Sequence, residues 1–205
     1  MVKLKDEQKH DRLIQSAIEL LAIAGLTGFS TTKVAQRAGI PQSNVYIYFK
    51  NKQALLEAVF QDTVHRQSVA VVHGLDEQAP LTQQLPMSIE RLYRFALAEP
   101  ASVAALQVLL SDSQLKSLLH VKADDQANQQ IQRLIKTGVN QGILRPTDLN
   151  FLRYFLSRPV FHYAEGVRAN LYPDTPAALA DLTAMIMGAI LQPTVYRDWL
   201  QSLPE

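Results

Sequence analysis

Residues 30–52 read STTKVAQRAGIPQSNVYIYFKNK, and within them Gln42, Ser43 and Asn44 set an amide, a hydroxyl and a second amide side by side. A side-chain amide carries a donor and an acceptor in one plane. That pattern pairs with the edge of an adenine, each good pair giving about 1 to 3 kcal/mol of discrimination. Ile47 adds a methyl group of the kind that meets a thymine methyl. No catalytic constellation is complete in the stretch, so the chemistry on offer is recognition rather than turnover.

Those groups need elements that hold them outward. Ser30 is a strong N-cap, with Phe29 before it and Val34 after it spaced as a hydrophobic staple. The helix it starts should end near Ala38, at Gly39. Pro41 suits the first turn of a following short helix over 42–48, where its missing N–H is harmless. Phe29, Val34, Ala35, Ala38, Ile40, Val45 and Phe49 are then used in packing against the preceding helix. Thr32, Gln42, Ser43, Asn44, Ile47 and Tyr48 remain facing outward. Two short helices joined by a glycine-bearing corner form a helix-turn-helix, whose second helix can enter a DNA major groove.

The rest of the 205-residue chain carries the same period. Apolar residues recur at three and four, with no strand-like alternation, repeat or low-complexity tract, so the fold class is all-α. Helices are expected over 6–24, closed by Gly25, then 30–38, 42–48, and from an Asn51 cap towards Gly74. Beyond Gly74, DEQAPLTQQLP, residues 76–86, reads as a loop or linker, and further helices are expected from about 83 to 98, then over 101–111, 113–142, 147–171 and 175–191. Pro159 should kink the penultimate one, and Pro193 should end the last, leaving a tail piece at 196–200. Residues 1–66 carry net charge +3 and the remainder −2.

Several classes drop out. Without cysteine there are no disulfides, thiolate chemistry or cysteine zinc sites, and the five histidines show no metal-binding spacing. STTK and SQLK match S-x-x-K, but the companion motifs of that nucleophile are missing. Asp124 and Asp125 read as a solvated helix face. The charged start and the shortness of every apolar run favour a cytoplasmic protein with no membrane partner. No cofactor is expected.

Residues 28–60, GFSTTKVAQRAGIPQSNVYIYFKNKQALLEAVF, resemble the DNA-binding segment of the TetR family of bacterial transcriptional regulators. The shared features are the threonine-rich start, the A-x-x-A-G-I corner, the tyrosine, the Y-F-K-x-K run and the following L-L. GVNQGILRPTDLNFL resembles the junction between two later helices of such proteins. The resemblance implies a helix-turn-helix DNA-binding domain, residues 1–52, and a larger helical ligand-binding and dimerisation domain, residues 53–205. It implies that Thr32, Gln42, Ser43, Asn44, Tyr46, Ile47, Tyr48 and Lys52 meet double-stranded DNA at a palindromic operator, with Tyr46 and Lys52 on phosphates. Lys52 fits independently: a cation in a helix's first turn opposes the macrodipole, and a docked phosphate would reverse the sign. Pro41 and Asn44 depart from the family pattern, where hydroxyl residues are usual.

In the later helices Leu179, Leu182, Ile186 and Ile190 form one stripe, and Leu152, Leu156 and Val160 lie on another. Together with the resemblance they suggest a homodimer through a four-helix bundle. Arg91, Tyr93, Arg94, Tyr154, Arg158, His162 and Tyr163 are polar or aromatic residues on otherwise apolar helices. They are the expected lining of a site for an apolar or amphipathic effector. The reading is a ligand-responsive regulator, a repressor. Its rivals are an activator or architectural factor of the same fold without a small-molecule ligand, and a helical carrier or enzyme.

Overall fold

The computed structural model describes residues 2–203, with side chains from Glu7 onward. Among them eleven helices follow in order: α1 Val2–Gly28, α2 Thr31–Ala38, α3 Gln42–Tyr48, α4 Lys52–Val72, α5 Leu81–Ala98, α6 Pro100–Ser111, α7 Ser113–Leu118, α8 Gln126–Asn140, α9 Leu149–Arg168, α10 Pro176–Ile190 and α11 Pro193–Gln201. The all-helical expectation holds. The sole departure among the described residues is one antiparallel bridge between Leu144 and Leu191.

The chain forms two compact units. The first holds residues 1–66 and 99–123, so α6 and α7 pack with the N-terminal helices; the second holds 67–98 and 124–205. In the first, α1 makes its broadest contact with α6 and also packs on α2. Leu13, Ala17, Ile18 and Leu21 of α1 are fully buried there with Val34, Val45, Leu55 and Val59. In the second, α5 lies mainly along α9, and α10 packs on both. Leu85, Ile89, Val160, Met187 and Ile190 form its interior.

Local chemistry explains several helix ends. The Ser30 hydroxyl accepts from the Lys33 N–H at 3.2 Å and Asn51 Oδ1 from the Ala54 N–H at 2.8 Å. Asp148 caps α9 and Thr175 caps α10, with Pro176 in the first turn. Gly39 closes α2 with φ of 64°.

Five expectations are corrected. Gly25 does break α1, at φ 61° and ψ −171°, a conformation open to glycine alone, but helical turns resume and carry the chain to Gly28. Pro41 stands at the cap position of α3 rather than in its first turn. The long helix expected over 113–142 is two, because Asp112 caps α7 and Asp125 caps α8. Asp125 is accordingly buried, not part of a solvated face. Pro193 does not merely end α10; it sits in the first turn of α11.

Candidate nucleic-acid interface

The short helix α3 is held by few contacts, each identifiable. Val45 is wholly buried and Phe49, which closes the helix, is buried with it. The His10 ring of α1 lies 5.2 Å from the Phe49 ring and 6.1 Å from Tyr48. At the other end Ile40 is buried, and its N–H returns to the Ala35 carbonyl at 3.0 Å. The corner between α2 and α3 is thus fixed by backbone bonds and apolar burial together. On α2 the Arg37 guanidinium meets Glu19 of α1 at 2.7 Å, and Gln15 also donates to Glu19. These bonds hold the Glu19 carboxyl below its usual range, the Arg37 hydrogen bond being the larger cause.

With that side spent on packing, Thr32, Gln42, Ser43, Tyr46 and Ile47 are exposed, and Asn44 and Tyr48 are half-buried. Ile47 is 73% exposed and Tyr46 51%, values that no intramolecular packing role accounts for. The Tyr46 hydroxyl lies 3.4 Å from Thr31 Oγ1, which brings two hydroxyls together beside the first turn of α2. Thr31 is a candidate that sequence reasoning missed, because its contact depends on a tyrosine fifteen positions away. The arrangement can donate and accept hydrogen bonds along one continuous polar row, with Ile47 as its apolar member.

Lys52 differs from expectation. Its ammonium donates to the Phe29 carbonyl at 3.0 Å and lies 5.5 Å from the centre of the Phe29 ring. The cation at the start of α4 therefore has a compensating partner within the chain, and the macrodipole argument does not require a phosphate.

The seven residues expected around an effector do not form one group. Tyr93 and Tyr163 meet with ring centres 5.5 Å apart, and His162 lies 3.3 Å from the Tyr172 hydroxyl. Tyr163 and Tyr172 stack at 5.7 Å with planes 4° apart, and Tyr93 donates to Asp174 at 2.7 Å. Burial, and then the Asp174 hydrogen bond, push the Tyr93 phenol far above its ordinary range. Arg91 turns instead to the carbonyls at the end of α4, including Gly74 at 3.2 Å. Arg94 pairs with Glu90 on its own helix. Arg158 covers the Tyr154 ring, again apart from the tyrosine cluster. Tyr172 and Asp174 lie in the connection after α9 and carried no sequence signal. A Cβ built at Gly166 would fall 2.2 Å from the Tyr172 ring, so this glycine is what lets the connection fold back.

The dimer stripes are likewise corrected. Leu152, Val160, Ile186 and Ile190 are buried within the single chain, 3% exposed or less, and cannot also face a second one. Leu156, Leu179 and Leu182 are half-exposed. What α9 leaves outside is an aromatic row: Phe151 and Tyr154, each 53% exposed, with Phe155 edge-on to both; Met185 of α10 is 74% exposed.

Comparison with known proteins bears on the N-terminal helices most directly. Residues 13–59, from α1 into α4, match the family model for bacterial regulatory proteins of the tetR family. The tetracycline repressor protein class C of Escherichia coli is 41% identical over 51 residues, 25% of this chain and 23% of that protein. The fatty acid metabolism regulator protein of Bacillus subtilis (strain 168) is 24% identical over 108 residues, 53% of this chain and 56% of the relative. The chain thus spans about half or less of the length of these curated relatives. Whole-chain likeness comes from solved structures and concerns the fold. A TetR family transcription regulator from Marinobacter aquaeolei VT8 superposes with a TM-score of 0.79 at 18% identity, covering 93% of this chain and 99% of that one. A FadR regulator from Bacillus subtilis, solved in complex with stearoyl-CoA, gives 0.66 at 18% identity, covering 88% and 99%. The corner that buries Val34, Ile40 and Val45 while exposing Gln42 and Ile47 lies inside residues 13–59, the part of the chain that is similar to the tetR family of bacterial regulatory proteins.

Proposed function

We propose that the protein is a DNA-binding transcriptional repressor that reads a palindromic double-stranded operator as a homodimer and is released by an amphipathic small molecule. The observation that carries this reading is the exposed polar row on α3, held out by a helix whose opposite side is buried. Gln42, Asn44 and Ile47 are its base-reading groups and Thr32, Ser43, Tyr46, Tyr48 and Lys52 its backbone contacts. Residues 1–52 remain the proposed DNA-binding domain and 53–205 the effector and dimerisation domain.

A palindrome needs two copies of α3 about 34 to 36 Å apart, and so a two-fold partner. The aromatic row of Phe151, Tyr154 and Phe155, with Leu156, Leu179, Leu182 and Met185, is the surface proposed for that contact. For the effector, the likeness to a regulator solved with stearoyl-CoA favours an acyl chain with an anionic head group. The tyrosine cluster of Tyr93, Tyr163 and Tyr172 is its proposed neighbourhood.

The test is duplex binding at several salt concentrations. Log affinity should fall linearly with log salt, by about 0.9 per phosphate neutralised. Asn44→Ala should lose about 1 to 3 kcal/mol of sequence discrimination while leaving the salt slope intact. Salt-independent binding, or none, would sink the reading. Stearoyl-CoA and operator duplex should weaken each other's binding by the same factor; independence would remove the effector from the mechanism.

A further inference from the structure

The corner between α1 and α2 holds two lysines where cations are unfavourable. Lys33 is the third residue of α2 and Lys52 the first of α4, both at the positive end of a helix dipole. Each reaches back to a carbonyl of the same corner: Lys33 Nζ donates to the Gly28 oxygen at 3.0 Å and Lys52 Nζ to the Phe29 oxygen at 3.0 Å. Gly28 ends α1, so its oxygen carries the negative end of that helix, the Phe29 oxygen lies one residue beyond, and beside them begin the N–H groups of α2. Phe29 is buried, and its ring also faces the Lys52 ammonium at 5.5 Å.

We infer that Lys33 and Lys52 act as a two-cation clamp on the Gly28 and Phe29 carbonyls, and that both are positioning residues setting how α2 and α3 are presented, beyond any phosphate contact Lys52 makes. Two ammonium groups from two helices close on two successive carbonyls, and a charge-assisted bond to each is stronger than a neutral one. The Lys52 bond ties the start of α4 to the residue preceding the Ser30 cap. Three links then fix the start of α2: that bond, the Ser30 cap, and the Thr31 contact with Tyr46. The clamp also neutralises oxygens that would repel a phosphate approaching Thr31. Two further N–H groups of Lys52 remain for such a phosphate.

This inference rests on the DNA-binding reading for its consequence but not for its geometry, and the experiment separates them. Lys33→Met and Lys52→Met are made in the full chain, and each is titrated against a random 30-base-pair duplex and a duplex selected by the unaltered protein. Each variant should narrow the ratio between selected and random duplex by about fivefold, the low end of one lost base-edge pair. Loss of a phosphate contact alone would weaken both duplexes equally and flatten the salt slope by about 0.9; that outcome for Lys52→Met, with no change for Lys33→Met, overturns the clamp. Amide hydrogen exchange at Lys33, which donates to the Ser30 hydroxyl, and Val34, which donates to the Ser30 carbonyl, supplies the readout independent of DNA. Exchange should quicken in both variants while the Leu13 to Leu21 amides of α1 stay protected. Unchanged exchange at α2 also overturns the clamp, whereas failure of the unaltered protein to bind either duplex overturns only the DNA-binding reading.

Discussion

Helices α2 and α3 total fifteen residues and α9 and α10 thirty-five, yet the shorter pair leaves the more polar surface and the longer pair the more apolar one. A helix of seven residues cannot persist alone in water, because nucleation is not repaid over two turns. α3 survives by burying Val45, Phe49 and the preceding Ile40, which leaves Gln42, Ser43, Tyr46 and Ile47 exposed. α9 and α10 have length enough to bury one stripe and keep a second, and the second is where Phe151, Tyr154 and Met185 stand exposed. The shorter pair is thus specified by a few tie points and the longer pair by continuous packing.

Single tie points should therefore be costlier per residue in α3. Phe49→Ala should destabilise the protein by about 3 to 5 kcal/mol and abolish duplex binding. Ile190→Ala removes a comparably buried side chain from α10 and should cost about 2 to 5 kcal/mol while leaving α3 presented. Thermal unfolding of both variants beside their duplex binding checks this; equal loss of binding at equal stability would erase the contrast. Ser30→Ala should cost about 1 kcal/mol through the lost cap and Asp148→Ala a similar amount, but only the former should quicken exchange in α2.

The smaller effects lie in pH. Tyr93 prefers its neutral form in the folded state, so its contribution is complete below the ordinary phenol range near pH 10 and shrinks as pH rises above it. Tyr93→Phe should flatten the alkaline limb of stability. Glu19 shows the reverse sign: its contribution is present above the ordinary carboxyl range near pH 4.3 and is lost as pH falls through the lower folded value. Arg37→Gln should shrink the acid limb slightly, because the pair is partly solvated. An unchanged limb in either variant would remove that side chain from the account.

The same contrast explains what the sequence disclosed. Ser30, Gly39 and Asn51 signal their roles by residue type at fixed local offsets, so α2, α3 and the start of α4 were legible to within a residue. The break at 119–125 was not, since LLHVKADDQANQQ keeps a helical period and a capping aspartate looks like a solvated one until Asp125 is seen accepting from the Asn128 N–H. In the candidate site the outward row was legible because packing could be assigned by subtraction. The partners of Lys52, Tyr46 and Tyr93 were not, lying 23, 15 and 81 positions away. Stripe hydrophobicity alone could not say which face of α9 turns inward, and it selected Leu152 and Val160, the residues the monomer keeps for itself.

The small bridge between Leu144 and Leu191 bears on how the chain is made. Ile190 and Gln192 hold the Arg145 N–H and the Ile143 carbonyl at 2.9 Å, so the loop after α8 acquires these backbone partners only once residue 192 has been synthesised. The first compact unit has every segment by Ala123. On the ribosome the N-terminal helices should reach their native packing ahead of the later ones, whose loop after α8 stays unpartnered until residue 192 has emerged.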